Sequence, residues 1–181
     1  LVPAVSMPLW AEERKTGTLE LLLTQPVASW QAVLGKYLAA WAFVAFALAL
    51  TFPLWITVNW LGKPDNGVIL ASYLGSLLMA GAYLAVGSCL SATTRSQVVA
   101  FILSVVLCLF LILAGFNPVT DLLARWANPA VVDTVAAFSV VTHFDGFQRG
   151  VIDLRDLAFF LSVIGFALFA TGVIIRGHRA G

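Results

Sequence analysis

Four long apolar runs, each almost free of charged residues, constrain what this chain can fold into more than any other feature. They cover residues 37–60, 68–90, 98–116 and 157–175. A helix needs about 20 apolar residues to cross the hydrocarbon core of a bilayer, which is about 30 Å thick. Within lipid, every backbone N–H and C=O must be paired inside the protein, and a helix achieves this within one segment. The sequence therefore predicts an all-α integral membrane protein, a polytopic helix bundle with four full spans.

The composition supports a membrane protein and excludes several other classes. Of 181 residues, 61% are hydrophobic and 10% are charged, and the mean hydropathy is +0.97. Soluble domains are about 45–50% apolar and about 25% charged. A nucleic-acid-binding protein would show a stripe of basic residues, and this sequence shows none. We therefore exclude a typical soluble enzyme, a disordered chain and a nucleic-acid binder.

The four runs and the segments around them belong to a single predicted transmembrane domain, residues 1–181. Residues 1–10 are apolar but lack the pattern of a signal peptide, so we interpret them as the tail of a preceding span. Residues 11–36 are the most charged segment of the chain. Residues 117–156 form a loop that is too amphipathic to be a plain linker, and we expect short re-entrant helices within it.

The distribution of charges predicts the orientation in the membrane. Six of the ten Lys and Arg residues fall on one side of the predicted spans, together with the three glutamates. These six are Arg14, Lys15, Lys36, Arg95, Arg176 and Arg179. The other side carries the remaining basic residues, Lys63, Arg125, Arg149 and Arg155, and all six aspartates. Because loops rich in Lys and Arg stay in the cytoplasm, we expect a multi-pass protein of the inner (plasma) membrane with segment 11–36 and the C-terminus cytoplasmic, and loop 117–156 outside.

Local signals refine the boundaries of the spans. Pro53 lies inside the first run, where it is expected to kink the helix. Residues 94–97 have the Thr-x-x-Gln form of a capping box before the third run, and Asp153 or Asp156 can cap the fourth. A small-x-x-x-small match that starts at Gly81 is a weak indication of close helix packing.

No motif for ATP binding or nucleophilic catalysis occurs in the chain. Gly35-Lys36-Tyr37 lacks the upstream glycine and the hydroxyl of a phosphate-binding loop, and there is no Gly-x-Ser-x-Gly. Neither Cys89 nor Cys108 belongs to a cluster with zinc-ligand spacing. The spans hold no deep charge, which counts against an ion-coupled transporter and suggests an apolar or amphipathic cargo. We expect no catalytic, cofactor-binding or metal-binding residue, and no enzymatic activity.

Segment 11–36 is the most informative part of the sequence. It opens on the mixed charge cluster Glu12–Lys15, and Gly17 and Pro26 are expected to end helical turns. Between them, leucines follow one another at i, i+3, i+4 spacing: Leu19, Leu22 and Leu23. Such a ridge can rest on lipid or dock onto a cytoplasmic partner. The balanced charges favour the partner, because a lipid-binding helix would be rich in Lys and Arg.

Loop 117–156 contains the one cluster of residues whose side chains are suited to catalysis. His143 as base and Asp145 as its orienting partner, with Ser139 or Thr142 as nucleophile, would form a hydrolase site. Residues so close in sequence rarely converge on one substrate atom, so we favour capping of helices. A role as gate or outer-loop contact, for His143, Asp145 and Arg149, remains open.

Two blocks of sequence resemble a known family. The first is Glu12-Glu13-Arg14-Lys15-Thr16-Gly17-Thr18-Leu19-Glu20-Leu21-Leu22, followed by Pro26 and Gly35-Lys36, and the second runs from His143 to Asp156. The first block resembles the cytoplasmic segment between the second and third helices of type-2 ABC exporter permeases, and the chain is most similar to the gliding-motility-associated permeases among them. Such permeases usually have six helices. Either the first helix and most of the second are absent here, or the resemblance overstates how much of the six-helix architecture this chain shares.

The resemblance implies a function and a set of partners. It implies the permease subunit of an ATP-driven exporter, paired with a second permease copy or paralogue and with ATP-binding cassette subunits that bind ATP and Mg. Segment 12–26 would contain the coupling helix, which would pass its displacement to residues 36–53. The partner-binding residues would be Glu12, Glu13, Arg14, Gly17, Leu19, Glu20, Leu22 and Leu23. An outer-side accessory protein is a further candidate partner, and an intramembrane hydrolase or a non-transporting membrane scaffold are the alternative functions.

Overall fold

All regular secondary structure in the part of the chain that the structure describes is helical. This computed structural model describes residues 1–19, 21, 28–125, 128, 132, 134–135 and 137–177, and no strand occurs among them. Its helices are α1 (Val2–Ser6), α2 (Pro8–Thr16), α3 (Ser29–Ala49), α4 (Phe52–Leu61), α5 (Asn66–Thr93), α6 (Gln97–Leu113), α7 (Asn117–Ala124), α8 (Val140–Gln148) and α9 (Leu154–Gly177). The predicted all-α class is therefore confirmed for the described residues.

Three helical stretches are long and apolar enough to cross a membrane. They are Ser29–Leu61, which joins α3 and α4, and the single helices α5 and α9. α6 is also apolar but has only 17 residues, or about 25 Å at about 1.5 Å per residue, less than the hydrocarbon core. It ends at Leu113, before the predicted boundary at residue 116, because the backbone turns at Ala114 and Gly115. The predicted count of four full spans is therefore not confirmed.

The first of these stretches is interrupted near Pro53, as predicted. α3 ends at Ala49, and α4 begins at Phe52 with Pro53 in its first turn. Since Pro53 has no N–H to donate, it suits a first turn, where N–H groups lack a partner within the helix. α4 has no buried residue, and Trp60 near its end is 91% exposed. α4 therefore lies on the outside of the bundle.

α5 is the central helix of the bundle. It contacts α1, α2, α3, α6, α8 and α9, and it is the most buried of the three spanning stretches. Glycines allow this packing: a Cβ at Gly75 would lie 2.7 Å from Phe147 Cβ, and one at Gly81 would lie 2.9 Å from Trp41 Nε1. Tyr37 Oη also donates to Gly81 O at 3.2 Å. The small-x-x-x-small match at Gly81 thus marks a close helix contact.

Buried apolar side chains form three clusters that follow one another along α5. They contain Trp10, Leu19, Val33, Ala92 and Ile175; Tyr37, Ala40, Leu84, Ala85 and Ala167; and Leu78, Ala82, Tyr83, Cys108, Val140, Phe147 and Phe160. The outer surface carries large apolar side chains, such as Phe166 and Phe169, which are 75% and 71% exposed. An exposed apolar belt of this kind suits lipid and would promote aggregation in water.

The bundle has two ends that differ in charge. At the first, here called the α2 end, α2 lies beside the end of α5, and Arg14, Lys36, Arg95 and Arg176 lie here. At the other, here called the α8 end, Ser72 of α5 donates to Phe147 O of α8 at 3.4 Å. The side chains of Arg149 and Asp156 lie at this second end. These residues are distributed between the ends as the sequence predicts.

The predicted caps are partly wrong. α6 begins at Gln97 with Ser96 in the N-cap position, and Thr94 Oγ1 accepts from the N–H of Ser96 at 2.9 Å instead of capping the helix. Gln97 Nε2 does not return to the backbone but donates to Glu12 Oε2 at 2.9 Å, because α2 lies within its reach. At α9, Asp153 Oδ1 accepts from the N–H of Arg155 at 3.1 Å, so Asp153 provides the cap.

Candidate functional site

The candidate site is built on α2, which ends at a glycine. Pro8 lies in the first turn of α2, where the missing N–H is tolerated. Gly17 follows the last residue of the helix with φ 75°, a left-handed conformation that glycine adopts without steric cost. The predicted turn at Gly17 is confirmed. The glycine thus ends α2 and turns the chain at the α2 end, where Leu19 packs back against Trp10.

Two serines of α5 hold α2. Ser91 Oγ accepts from the N–H groups of Trp10 and Ala11 at 3.1 and 3.0 Å and donates to Met7 O at 2.8 Å. Ser88 Oγ accepts from Trp10 Nε1 at 3.1 Å. Trp10, Ala11 and Ser91 are fully buried. The start of α2 is therefore attached to α5 through its main chain as well as through a tryptophan side chain.

Charged side chains attach α2 to three neighbouring helices. Arg14 donates to Ala92 O of α5 at 2.6 Å, and Lys36 of α3 forms an ion pair with Glu13. Lys36 also donates to Leu9 O at 2.7 Å and lies 4.4 Å from the centre of a Trp10 ring. Burial, with a smaller contribution from the Arg95 guanidinium, lowers the pKa of Arg14 below its usual value. With the bond from Gln97 of α6 to Glu12, α2 is joined to α3, α5 and α6.

One face of this region points away from the bundle. Exposed side chains on it are those of Glu12, Lys15, Thr16, Thr18 and Leu21, of which Leu21 is 67% exposed. This stretch exposes one acidic, one basic, two hydroxyl and one apolar side chain, and we call it the α2-end face. A lipid-binding helix is rich in Lys and Arg on its polar face, whereas this face carries charges of both signs.

The α8 end holds a buried histidine–carboxylate contact. His143 Nδ1 lies 2.7 Å from Asp156 Oδ1 of α9, and His143 Nε2 lies 3.1 Å from Ala137 O. The imidazole stacks on Phe159, with ring centres 4.0 Å apart. Asp145 instead forms an exposed ion pair with Arg149 at 3.2 Å.

This geometry does not favour a hydrolase. Asp145 does not orient His143, because it pairs with Arg149 one helical turn away. Both ring nitrogens of His143 already have partners. The hydroxyl of Ser139 is buried and accepts from the N–H of Val141 at 3.2 Å, so it caps α8. The described residues contain no group of three or more His, Cys, Asp and Glu side chains placed to hold a metal.

A comparison with protein families covers most of this arrangement. Residues 4–144 match the model of the ABC-2 family of transporter proteins, a stretch that runs from α1 to α8 and includes the contacts of Ser91. The chain belongs to the ABC-2 family. No curated protein matches the sequence. The match identifies the family as a whole and does not extend to the gliding-motility-associated permeases.

As an ABC-2 family member, the chain is a multi-pass membrane permease domain of an ABC transporter. Permeases of this family are the membrane components and not the ATPases, and they act with an ATP-binding cassette subunit. These conclusions agree with the ATP-binding cassette partner that the resemblance implies. The scaffold and hydrolase alternatives are not favoured.

The residues that the sequence predicts to bind a partner differ in their exposure. Glu12 is exposed and Glu13 and Arg14 are half-buried, while Gly17 is exposed. The structure corrects the prediction for Leu19, which is only 6% exposed and packs against Trp10 and its neighbours. Leu19 therefore does not belong to an exposed ridge. The remaining predicted residues, Glu20, Leu22 and Leu23, lie outside the described residues.

Sequence reasoning missed three residues at this site. Leu21 is exposed although it falls between the predicted ridge positions, and Trp10, the last residue of the stretch assigned to the tail of a span, is buried in the bundle. Ser91 makes the contacts described above. A tryptophan just before a charge cluster was an available signal for an interfacial anchor. A serine within an apolar run carries no comparable signal.

Proposed function

We propose that this chain is the permease subunit of an ATP-driven exporter in the inner (plasma) membrane, with the α2 end and the C-terminus in the cytoplasm. The positive residues gathered at the α2 end support this orientation. The ATP-binding cassette subunit, which binds ATP and Mg, docks on the α2-end face. The permease acts as a pair with a second copy or a paralogue.

The observation that carries the proposal is the combination of an exposed mixed-charge face with a rigid attachment behind it. The α2-end face presents Glu12, Lys15 and Leu21 outwards. Behind it, Ser91, Lys36 and their partners join α2 to the bundle. A surface that receives a push must be accessible on one side and anchored on the other. An interfacial helix resting on lipid needs only an apolar side.

The attachment also changes the expected path of motion. The link from Lys36 to Glu13 supports transfer to α3, as the sequence analysis expects for residues 36–53. Ser88, Ser91 and Ala92 provide a second route, into α5. Since α5 is the central helix, this route reaches the rest of the bundle more directly. The absence of charge deep in the predicted spans favours an apolar or amphipathic cargo.

The test is co-purification of the cognate ATP-binding cassette subunit with variants of the α2-end face. Leu21→Asp and Lys15→Glu should each reduce co-purification and permease-dependent ATPase stimulation by about tenfold, as loss of about 1.4 kcal/mol of binding free energy does. Val151→Asp is the matched control, because Val151 is 58% exposed at the opposite end. Glu13→Lys is not suitable here, because it would break the pair with Lys36. Unchanged co-purification in both face variants would refute the proposal.

A further inference from the structure

We propose that Ser91 is a positioning residue that locks α2 to α5, so that both helices move as one body and carry displacement from the α2 end to α8. The lock is a property of the chain itself, whereas its role in transport rests on the function proposed above.

The lock occurs at a break in the helix that α1 and α2 would otherwise form. α1 ends at Ser6 and α2 begins at Pro8, which has no N–H. In an unbroken helix the N–H of Ala11 would bond to Met7 O, four residues earlier. Here the Ser91 hydroxyl accepts from the N–H of Ala11 and donates to Met7 O. A side chain inserted into the hydrogen-bond ladder is a recognised cause of a kink.

Burial makes this insertion hard to replace. Ser91 is fully buried, as are Trp10 and Ala11, whose N–H groups donate to the Ser91 hydroxyl. Without the hydroxyl, the N–H groups of Trp10 and Ala11 and the carbonyl of Met7 would lose this partner, and only Ala11 and Met7 could bond to each other instead, by closing the kink. Buried polar groups of this kind are costly to leave unpaired. The single hydroxyl therefore satisfies three main-chain groups of another segment.

Small residues bring the two segments close enough for this contact. The face of α5 that meets α1 and α2 includes the small residues Gly87, Ser88, Ser91 and Ala92. A Cβ at Gly87 would lie 2.6 Å from Ser6 Cβ, so only glycine permits the approach of α1 there. One turn further along this face, the Ser91 hydroxyl reaches the main chain of α2.

α5 continues from this lock to the α8 end. It is 28 residues long, and the other part of it holds α8. Ser72 donates to Phe147 O of α8, and Gly75 packs directly on the Phe147 side chain. A displacement of α2 that moves α5 therefore acts on α8 without passing through a loop.

Ser88 provides the matched control. It lies one turn before Ser91 on the same face, is also buried, and also bonds to Trp10. Its partner is the indole Nε1, so Ser88→Ala removes a side-chain contact and leaves the main chain of α2 attached. Ser91→Ala removes the main-chain attachment. Ser91→Cys keeps the size of the side chain with a weaker donor and acceptor, and it serves if the alanine variant does not fold.

The experiment is hydrogen exchange of the full chain in complex with its ATP-binding cassette subunit in nanodiscs, with and without MgATP. We expect Ser91→Ala or Ser91→Cys to raise exchange at Trp10 and Ala11 by about tenfold or more, and Ser88→Ala to raise it much less, because the main-chain bonds to Ser91 remain. In the wild type, MgATP should leave these two amides protected while it changes exchange in α8. In the Ser91 variants the response of α8 should be lost although ATP hydrolysis continues.

Several outcomes would overturn the inference. Unchanged exchange at Trp10 and Ala11 in the Ser91 variants would remove the lock, and loss of their protection on adding MgATP to the wild type would show that α2 leaves α5. An α8 response that is absent in the wild type or retained in the variants would remove the transmission. If the wild type fails to bind or stimulate any ATP-binding cassette subunit, the proposed function fails instead, and exchange of the chain alone still decides whether Ser91 locks the helices.

Discussion

His143 and Asp156 form a contact of 2.7 Å between α8 and α9. Their side chains are only 9% and 14% exposed, whereas those of Asp145 and Arg149 are 54% and 76% exposed. The first pair joins two helices, and the second lies within a single turn of α8. The contact between His143 and Asp156 thus joins α8 to α9, whereas the ion pair between Asp145 and Arg149 does not connect the two helices.

Asp156→Asn is expected to destabilise the protein more than Asp145→Asn. A hydrogen bond to a charged group contributes about 1.5–3 kcal/mol to the free energy of unfolding, and an exposed ion pair contributes about 0–1 kcal/mol. SDS titration in mixed micelles would measure both changes. Equal effects for the two variants would mean that His143 does not depend on Asp156.

Gly75→Ala is expected to destabilise the protein, although it adds only one methyl group. A Cβ there would lie 2.7 Å from Phe147 Cβ, so Gly75→Ala should lower the free energy of unfolding by about 1–3 kcal/mol. Gly165 of α9 is the matched control, because a Cβ there meets nothing within 4 Å. Thermal unfolding of both variants in detergent tests this. A Gly75→Ala protein as stable as Gly165→Ala would contradict the close packing of α5 on α8.

The turn at the end of α2 is expected to depend on glycine. At φ 75°, Gly17→Ala should lose about 1–2 kcal/mol from the left-handed conformation alone. Gly17→Asn should lose less, because Asn tolerates this conformation. Gly35 lies inside α3, and a Cβ there would meet nothing within 4 Å, so Gly35→Ala should be neutral or slightly stabilising. Melting temperatures that fall equally for Gly17→Ala and Gly35→Ala would argue against the turn.

The ion pair between Glu13 and Lys36 is expected to stabilise the attachment of α2. Glu13→Lys and Lys36→Glu should each lower the unfolding free energy by about 1 kcal/mol, and the double reversal should recover part of it. Recovery should be incomplete, because Lys36 also bonds to Leu9 O and lies near Trp10. A double-mutant cycle on purified protein measures the coupling. A coupling of zero would mean that the pair contributes nothing.

Local signals in the sequence predicted the features that depend on local chemistry. The length of the apolar runs predicted the spanning helices, Pro53 predicted the interruption between α3 and α4, and Gly17 predicted the end of α2. Each follows from backbone geometry or from the thickness of a bilayer. The third run is not confirmed as a full span because α6 ends at Leu113, and hydropathy alone does not indicate where a backbone turns.

Features that depend on long-range packing could not be predicted. The i, i+3, i+4 spacing placed Leu19 on an apolar face but did not say that this face meets Trp10 rather than a partner. Asp145 was nearer to His143 in sequence than Asp156, yet the helix geometry of α8 and α9 selects Asp156. Gln97 had the spacing of a capping residue, but α2 packs beside α6, so the Gln97 side chain donates to Glu12 instead.

Site-specific photo-crosslinking tests the central claim of an ATP-binding cassette subunit driving the permease through the α2-end face. A photoreactive amino acid at Thr18, which is exposed on this face, should form an adduct with the cassette subunit in native membranes. The same group at Lys63, which is exposed in the loop between α4 and α5, should form none. Adducts from Lys63 and none from Thr18 would contradict the account.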